Sequence, residues 1–155
     1  AIGASEPEDY GGYYAWGETL EKDDYSRYSY TVDADVLDVG GTEMDVAHVQ
    51  WGGNWQMPTR GQIDELLDNC VMSDMVVKAN GVTGVELTSK KGVKIFLPAS
   101  GYKDGNNLNG KDQHGCYMSA NRNPANNSNL FSGMSFGAYS RWRYFRYHGD
   151  NVRAV

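Results

Sequence analysis

Residues 57–70 read MPTRGQIDELLDNC, and this stretch contains the clearest helix signal in the chain. Thr59 is followed three positions later by Gln62, the spacing of a capping box in which each side chain bonds to the other residue's backbone N–H. Apolar residues then recur at the i, i+3, i+4, i+7 spacing of one helix face. They are Ile63, Leu66, Leu67 and Cys70. The pattern predicts a helix that begins after Thr59 and packs this face against a core.

The flanking sequence predicts further short elements. A shorter helix is expected over about residues 45–50, with Val46 and Val49 on one face, because two glycines follow it. Downstream, residues 81–99 read GVTGVELTSKKGVKIFLPA, in which apolar residues alternate on both sides of a Ser-Lys-Lys-Gly turn, the signal of a hairpin. Additional strands are expected over residues 116–120, 130–137, 141–147 and 151–155. The sequence therefore predicts an α+β fold with long loops.

Length and composition limit the possible architectures. At 155 residues the chain is expected to form a single domain, residues 1–155, with one core. No apolar run approaches the roughly 18 residues of a membrane span, so we expect no direct membrane insertion. No export signal is visible, although the abrupt start would fit removal of a leader. Cys70 and Cys116 could form one disulfide or stay reduced.

The amino-acid alphabet changes near residue 118. Glu, Lys, Gln, Met and Trp supply 26 of the first 118 residues, as seven, seven, four, five and three, but only Met134 and Trp142 in residues 119–151. We call residues 119–151 the tail. The five avoided amino acids are those that an Asn codon ending in a pyrimidine cannot reach when its two adenines are replaced. A genetic cause and a chance bias in a short Asn/Ser-rich segment both remain open.

Charge divides at the same place. Residues 1–118 contain nine Lys and Arg against 19 Asp and Glu, whereas residues 119–155 contain five Arg and one Asp, and the two parts sum to the net charge of −6. Arg beside Tyr, Trp and Phe is the composition of binding hot spots. We call residues 1–118 the body, and its acidic charge makes nucleic acid a poor partner. A face with Arg141, Arg143 and Arg146 favours a partner that bears carboxylates.

Several segments, in this order, resemble the Fibrobacter succinogenes major paralogous domain, a family abundant in surface and secreted proteins of gut Bacteroidetes. The resemblance covers essentially the whole chain, and its most specific parts are WGGNWQMPT, FLPASGY and the closing VRAV. The chain departs from relatives at Asp150, where an aromatic residue is usual. The matching segments are GASEPEDYGGYYAWGET (3–19), DVAHVQWGGNWQMPTRGQIDELLDNC (45–70), GVELTSKKGVKIFLPASGYKDG (84–105), GCYMSA (115–120) and GDNVRAV (149–155).

The resemblance implies a C-type-lectin-like fold, related to formylglycine-generating-enzyme-like domains, with two helices and a twisted antiparallel sheet that supports long loops. The family usually has another strand before the first matching segment, so we expect the chain to start inside the typical domain boundary, without that first strand. Within this superfamily, the variable proteins of diversity-generating retroelements have C-terminal Asn codons randomised by adenine-directed mutagenesis. Their altered side chains form the ligand face, which matches the alphabet of the tail.

We therefore expect the tail to be a variable ligand-binding region whose side chains cluster on one exposed surface. Its fold should be held by buried residues outside the variable set, namely Trp51, Trp55, Pro58, Leu66, Phe96, Leu97, Trp142 and Val152. The candidate ligand-binding residues are Asn121, Arg122, Asn123, Tyr139, Arg141, Tyr144, Phe145, Tyr147, His148 and Asp150.

Catalytic and metal sites are not indicated. The two Cys lie 46 positions apart and the three His show no metal-ligand spacing, so the sequence assembles no catalytic constellation. The motifs of calcium-dependent sugar lectins are absent, and the Gly/Asn/Asp-rich loop over residues 101–115 lacks the EF-hand spacing. We expect no enzyme activity, no cofactor and no metal.

The sequence thus predicts a non-enzymatic ligand- or receptor-binding domain with a diversified recognition surface. The expected partner is a protein or glycan on a cell surface, and the expected location is the bacterial cell surface, the secreted fraction or a phage particle. The alternative is an undiversified structural or carbohydrate-adhesion module of the same family. The ligand and the oligomeric state do not follow from the sequence.

The two alternatives make different predictions for the gene. If adenine-directed mutagenesis shaped the tail, the locus should contain a near-identical copy of the tail's coding sequence that differs at adenines, together with a reverse transcriptase gene. Sequencing the locus checks this. A locus without either element would favour the undiversified module.

Overall fold

The computed structural model describes residues 1–124, 129–137 and 144–155. This part of the chain contains two helices and eight short strands, and the strands form three antiparallel sheets. The α+β class is therefore confirmed. The helices are α1 (Val46–Trp51) and α2 (Arg60–Asn69). The strands are β1 (Cys70–Met72), β2 (Val76–Val77), β3 (Thr83–Ser89), β4 (Lys94–Pro98), β5 (Tyr102–Asp104), β6 (Asn107–Asn109), β7 (His114–Arg122) and β8 (Phe131–Gly137).

Helix α2 forms as its sequence predicts. The Thr59 hydroxyl accepts a hydrogen bond from the Gln62 N–H at 3.1 Å, and the Gln62 side chain accepts one from the Thr59 N–H at 2.9 Å. Ile63 is buried, and Leu66, Leu67 and Cys70 pack against the same apolar cluster. The predicted capping box and apolar face are therefore confirmed. Cys70 itself begins strand β1.

The predicted hairpin lies at the centre of the largest sheet. Strand β3 pairs with β4 along one edge and with both β1 and β2 along the other. Val85 lies opposite Leu97 and Leu87 opposite Ile95, so one face of the hairpin meets the apolar side of α2. Val93 precedes β4 and is 65% exposed, because it belongs to the turn.

The remaining sheets each contain two strands. β5 pairs with β6, and β7 pairs with β8 with an irregularity between Met118 and Arg122. The strands expected over residues 116–120 and 130–137 are thus confirmed. Residues 151–155 do not form the expected strand and make one isolated bridge, at Asn151. The strand expected over residues 141–147 falls partly outside the described residues.

Buried apolar side chains form two clusters. One lies between α2 and the four-stranded sheet and includes Ile63, Leu87 and Tyr117. The other surrounds Trp16 and Phe131 and joins the beginning of the chain to its end. Cys70 and Cys116 are free thiols. No helix in the described part of the chain is long and apolar enough to cross a bilayer.

Two expected core residues are not buried. Trp51 and Trp55 are each 46% exposed, and Val49 is 49% exposed. Helix α1 has only six residues and turns Val46 and Ala47 towards the core, which leaves Val49 and Trp51 off its buried face, and Trp55 lies in the turn after the helix. Of the other residues expected in the core, Pro58, Phe96, Leu97 and Val152 are buried and Leu66 is half-buried. Trp142 lies outside the described residues.

A buried carboxylate fixes the start of α1. Asp45 caps the helix by accepting hydrogen bonds from the N–H groups of Ala47 and His48, at 2.9 and 3.1 Å. The same carboxylate also accepts from the N–H groups of Gly41, at 2.9 Å, and Met57, at 2.9 and 3.1 Å. One side chain therefore satisfies donors from three separate parts of the backbone.

Replacing Asp45 with Ala should lower the free energy of unfolding by about 3 kcal/mol, because several buried N–H groups would lose their acceptor. Urea unfolding followed by circular dichroism measures this change. The matched control is Asp35→Ala at an exposed position, which should cost less than ~0.5 kcal/mol. Equal losses in the two variants would contradict the role assigned to Asp45.

Candidate functional site

Main-chain hydrogen bonds hold the C-terminal part of the tail in place. Residues 144–151 pair with the beginning of the chain, with β5, with β7 and with the start of β8, and each bond joins one backbone group to another. Such bonds do not depend on the identity of the side chains they connect. The bonds are Tyr14 N–H to Asp150 O (2.9 Å), Asp150 N–H to Tyr14 O (3.0 Å), Trp16 N–H to Arg146 O (2.8 Å), Arg146 N–H to Asn129 O (2.8 Å), Lys103 N–H to Gly149 O (2.8 Å), Gly149 N–H to Lys103 O (2.9 Å), Met118 N–H to Asn151 O (3.0 Å), Asn151 N–H to Cys116 O (3.2 Å) and Phe131 N–H to Tyr144 O (2.9 Å).

Arg146 is buried, contrary to the expectation that it is available to a ligand. Its guanidinium carbon lies 5.3 Å from the ring centroid of Trp16 and 5.4 Å from that of Tyr30, so the cation is enclosed by two aromatic rings. Only 2% of the residue is exposed, and Nη1 donates to the Asp33 carbonyl oxygen at 3.2 Å. Burial lowers the pKa of the Arg146 guanidinium. Arg146 therefore stabilises the fold.

His148 and Asp150 are also buried, and this corrects the expectation that both contribute to an exposed face. The rings of Phe145, Tyr147 and Tyr102 surround His148, with centroid distances of 5.4, 4.9 and 5.4 Å. Its Nε2 lies 3.5 Å from Oδ1 of Asp104, and the residue is 6% exposed. Asp150 is completely buried where its backbone pairs with Tyr14.

Asn121 and Arg122 are used largely within the protein. The Asn121 side-chain oxygen accepts from the Arg60 N–H at 2.7 Å, which satisfies a donor in the first turn of α2, and its amide donates to Asp38 at 3.1 Å. The Arg122 guanidinium donates to the Ala34 carbonyl oxygen at 3.0 Å. Both residues are half-buried. Their side chains join the tail to the body more than they face solvent.

The stacked rings of Phe145 and Tyr147 are the main aromatic surface of the described tail. Their centroids lie 5.0 Å apart with planes at 14°, and both residues are half-buried. Burial raises the pKa of the Tyr147 hydroxyl, nearby Asp104 raises it further, and Arg27 lowers it. Arg27 is therefore close enough to act on this surface. We call Phe145 and Tyr147 the aromatic pair.

Asn123 and Tyr144 lie near the end of the β7–β8 ribbon. Tyr144 packs its ring 5.5 Å from that of Phe131, and its hydroxyl is hydrogen-bonded to Ser135. The Asn123 N–H donates to the Leu130 carbonyl oxygen at 3.0 Å. Both residues are half-buried, so part of each side chain is accessible. Tyr139 and Arg141 lie outside the described residues, as does Arg143.

The structure thus divides the predicted set instead of presenting it on one exposed face. Phe145, Tyr147 and buried His148 form one cluster, and Arg122 and Tyr144 both neighbour Phe131, which lies opposite Arg122 in the β7–β8 ribbon. Sequence reasoning missed Arg27, whose charge acts on the Tyr147 hydroxyl, and its neighbour Tyr28. Tyr28 is 83% exposed, and the Arg27 guanidinium lies 4.9 Å from its ring centroid. A lone Arg between tyrosines in an acidic stretch is the signal that could have identified them.

The described residues contain no group of three or more His, Cys, Asp or Glu side chains arranged to hold a metal ion. Asp104 and His148 come together as a pair only. This part of the protein offers aromatic surface, amide groups and the guanidinium groups of Arg27 and Arg122. These groups suit non-covalent binding.

Arg146→Ala should lower the free energy of unfolding by about 3 kcal/mol, because it removes both an enclosed cation–π contact and buried volume. Arg146→Lys should recover only part of this loss, since an ammonium lacks the flat surface that two rings enclose. Arg27→Ala is the matched control at a fully exposed arginine and should leave the unfolding curve unchanged. Similar losses in Arg146→Ala and Arg27→Ala would contradict the structural role of Arg146.

The chain was compared with protein-family models, with curated proteins and with solved structures, and none of the three comparisons gives a significant match. The interpretation of function therefore depends on the sequence and on the geometry of the described residues.

Proposed function

We propose that this protein is a non-enzymatic ligand-binding domain whose tail presents a diversified recognition surface. In this proposal the α+β fold is C-type-lectin-like, as the resemblance to the Fibrobacter succinogenes major paralogous domain implies. The tail then corresponds to the variable region of a diversity-generating retroelement protein. The restricted alphabet of the tail supports this assignment at the level of the gene.

The main support for the proposal is that backbone hydrogen bonds hold residues 144–151 in place. Their backbone bonds to backbone groups of the body on several sides, while the side chains of Tyr144, Phe145 and Tyr147 remain partly accessible. A surface that must accept many sequences needs this separation, since main-chain bonds survive side-chain replacement. The buried side chains between them, above all Arg146, belong to the fixed framework.

The chemistry of the accessible side chains suits macromolecular recognition. Stacked aromatic rings supply large contact area at low conformational cost, and Tyr adds a hydroxyl for hydrogen bonding. Arg27, whose charge lowers the pKa of the Tyr147 hydroxyl, supplies a guanidinium that pairs favourably with carboxylates. The proposed ligand is therefore a protein or a glycan that bears carboxylates at a cell surface. This face needs no metal for such contacts.

Two codon libraries test the proposal. The first randomises Asn123, Tyr144, Phe145 and Tyr147 with codons that end in a pyrimidine, and the matched control randomises Arg146, His148, Asp150 and Val152 in the same way. Most clones of the first library should melt cooperatively within about 5 °C of the parent, because surface changes cost little. Most clones of the control library should not fold, since its positions are buried.

The first library should also yield binders. Displayed on phage and selected against immobilised ovalbumin, an acidic protein, and against a sialylated glycan conjugate, it should give clones whose binding is unchanged by chelator. Equal loss of folding in the two libraries would show that the aromatic pair is structural. A first library that folds but gives no binder to either probe would contradict a display function.

A further inference from the structure

We propose that Trp51 and Trp55 form a second binding site, which takes a neutral sugar ring and is separate from the tail. The site lies at the end of α1 and is lined by Trp51, Gly52, Gly53, Asn54, Trp55 and Val155. None of these residues belongs to the tail. The inference therefore does not depend on the function proposed above.

The local sequence brings the two indoles together. Helix α1 ends at Trp51, and Gly52 and Gly53 follow with φ angles of 70° and 57°, in the left-handed region that favours glycine. The backbone N–H of Trp55 donates to the Gly52 carbonyl oxygen at 3.2 Å, which closes a turn. The turn places the ring centroids 5.0 Å apart with planes at 85°. Two rings at right angles form a corner, which we call the indole corner.

The corner is held from both sides, although it is open to solvent. After Trp55, Gln56 makes two backbone hydrogen bonds with Val155, at 3.2 and 3.0 Å. The next residue, Met57, donates its N–H to the buried Asp45 carboxylate. Each indole nevertheless remains 46% exposed, whereas Trp16 is completely buried. The framework thus fixes two large apolar rings at the surface instead of covering them.

Unused polar groups accompany these rings. Neither indole N–H makes a hydrogen bond to any described residue, and the Asn54 side-chain amide makes none either. The missing side chains of Gly52 and Gly53 leave open space, because a Cβ on either would have no heavy atom within 4 Å. The lining of the site therefore combines two indole rings with polar groups that make no hydrogen bond to the described residues, and open space lies at the two glycines.

A sugar can use both the indole rings and the neighbouring polar groups. The C–H face of a pyranose carries partial positive charge and stacks on the negative face of an aromatic ring, while its hydroxyls bond to surrounding donors and acceptors. No lining residue has a charged side chain, which favours a neutral ring. The cavity is about 550 Å³, within the range of small-ligand sites.

Size argues against a second copy of the chain as the occupant. Two indoles that are each 46% exposed offer on the order of 200 Å² of ring surface, whereas a stable protein interface needs about 800 Å² from each partner. An apolar peptide would leave the indole N–H groups and the Asn54 amide unpaired. A neutral saccharide is the occupant that both size and polarity favour.

Titration calorimetry and tryptophan fluorescence with hexasaccharides of glucose, galactose, mannose and xylose test the proposal. At least one should bind with a Kd of roughly 0.01–1 mM and shift the emission, as expected for a small open site. Trp51→Ala and Trp55→Ala should each weaken binding at least tenfold, and Asn54→Ala should weaken it while the aromatic rings remain. Val49→Ala, at an exposed position on the same helix, is the matched control and should bind normally.

The variants should keep the parent's melting temperature within a few degrees, since both indoles are half exposed. Absence of binding below about 5 mM across the four sugars would overturn the proposal. So would unchanged binding in Trp55→Ala, or concentration-dependent dimerisation that Trp55→Ala abolishes. Changes at Phe145 and Tyr147 should leave sugar binding intact, which distinguishes this site from the tail.

Discussion

The backbone hydrogen bonds that join residues 149–152 to the rest of the chain are the constraint on which the structure depends. Asp150 pairs with Tyr14, Gly149 with Lys103, and Asn151 bonds to both Cys116 and Met118. Val152 accepts from Ile2 at 2.9 Å, so the first residues of the chain are tied to the last. Because these four residues bond to three otherwise separate parts of the fold, they hold those parts together beside the apolar cluster that contains Trp16 and Phe131.

These bonds explain why the described end of the tail contains both framework and surface side chains. Residues 144–151 pack against the rest of the protein on one side, which buries Arg146, His148 and Asp150. Gly149 has no side chain because a Cβ there would lie 2.7 Å from the Tyr25 ring. The neighbouring Phe145 and Tyr147 remain partly accessible. Buried and accessible side chains alternate over a few positions, so a variable surface here is confined to a subset of the tail.

Local signals could be predicted from the sequence, while long-range contacts could not. The capping box at Thr59 and Gln62 and the hairpin at Val85 and Leu97 depend on neighbours a few positions away, and both form as predicted. The burial of Arg146 depends on Trp16 and Tyr30, more than 100 positions earlier, and composition alone suggested a free guanidinium. Trp51 and Trp55 were likewise expected to be buried, as part of the framework that holds a variable surface. Helix α1 buries only Val46 and Ala47, Trp51 is its last residue, and Trp55 lies in the turn that follows it.

The backbone of residues 144–151 is held independently of the accessible side chains in this segment. Amide hydrogen exchange measured by NMR on Phe145→Ser/Tyr147→Ser and on the parent protein tests this directly, because exchange reports the opening of individual hydrogen bonds. The N–H groups of Tyr14, Trp16, Gly149 and Asp150 should be equally protected in the two proteins. Loss of that protection in the double variant would show that the aromatic pair holds residues 144–151 in place, and would contradict anchoring by the backbone alone.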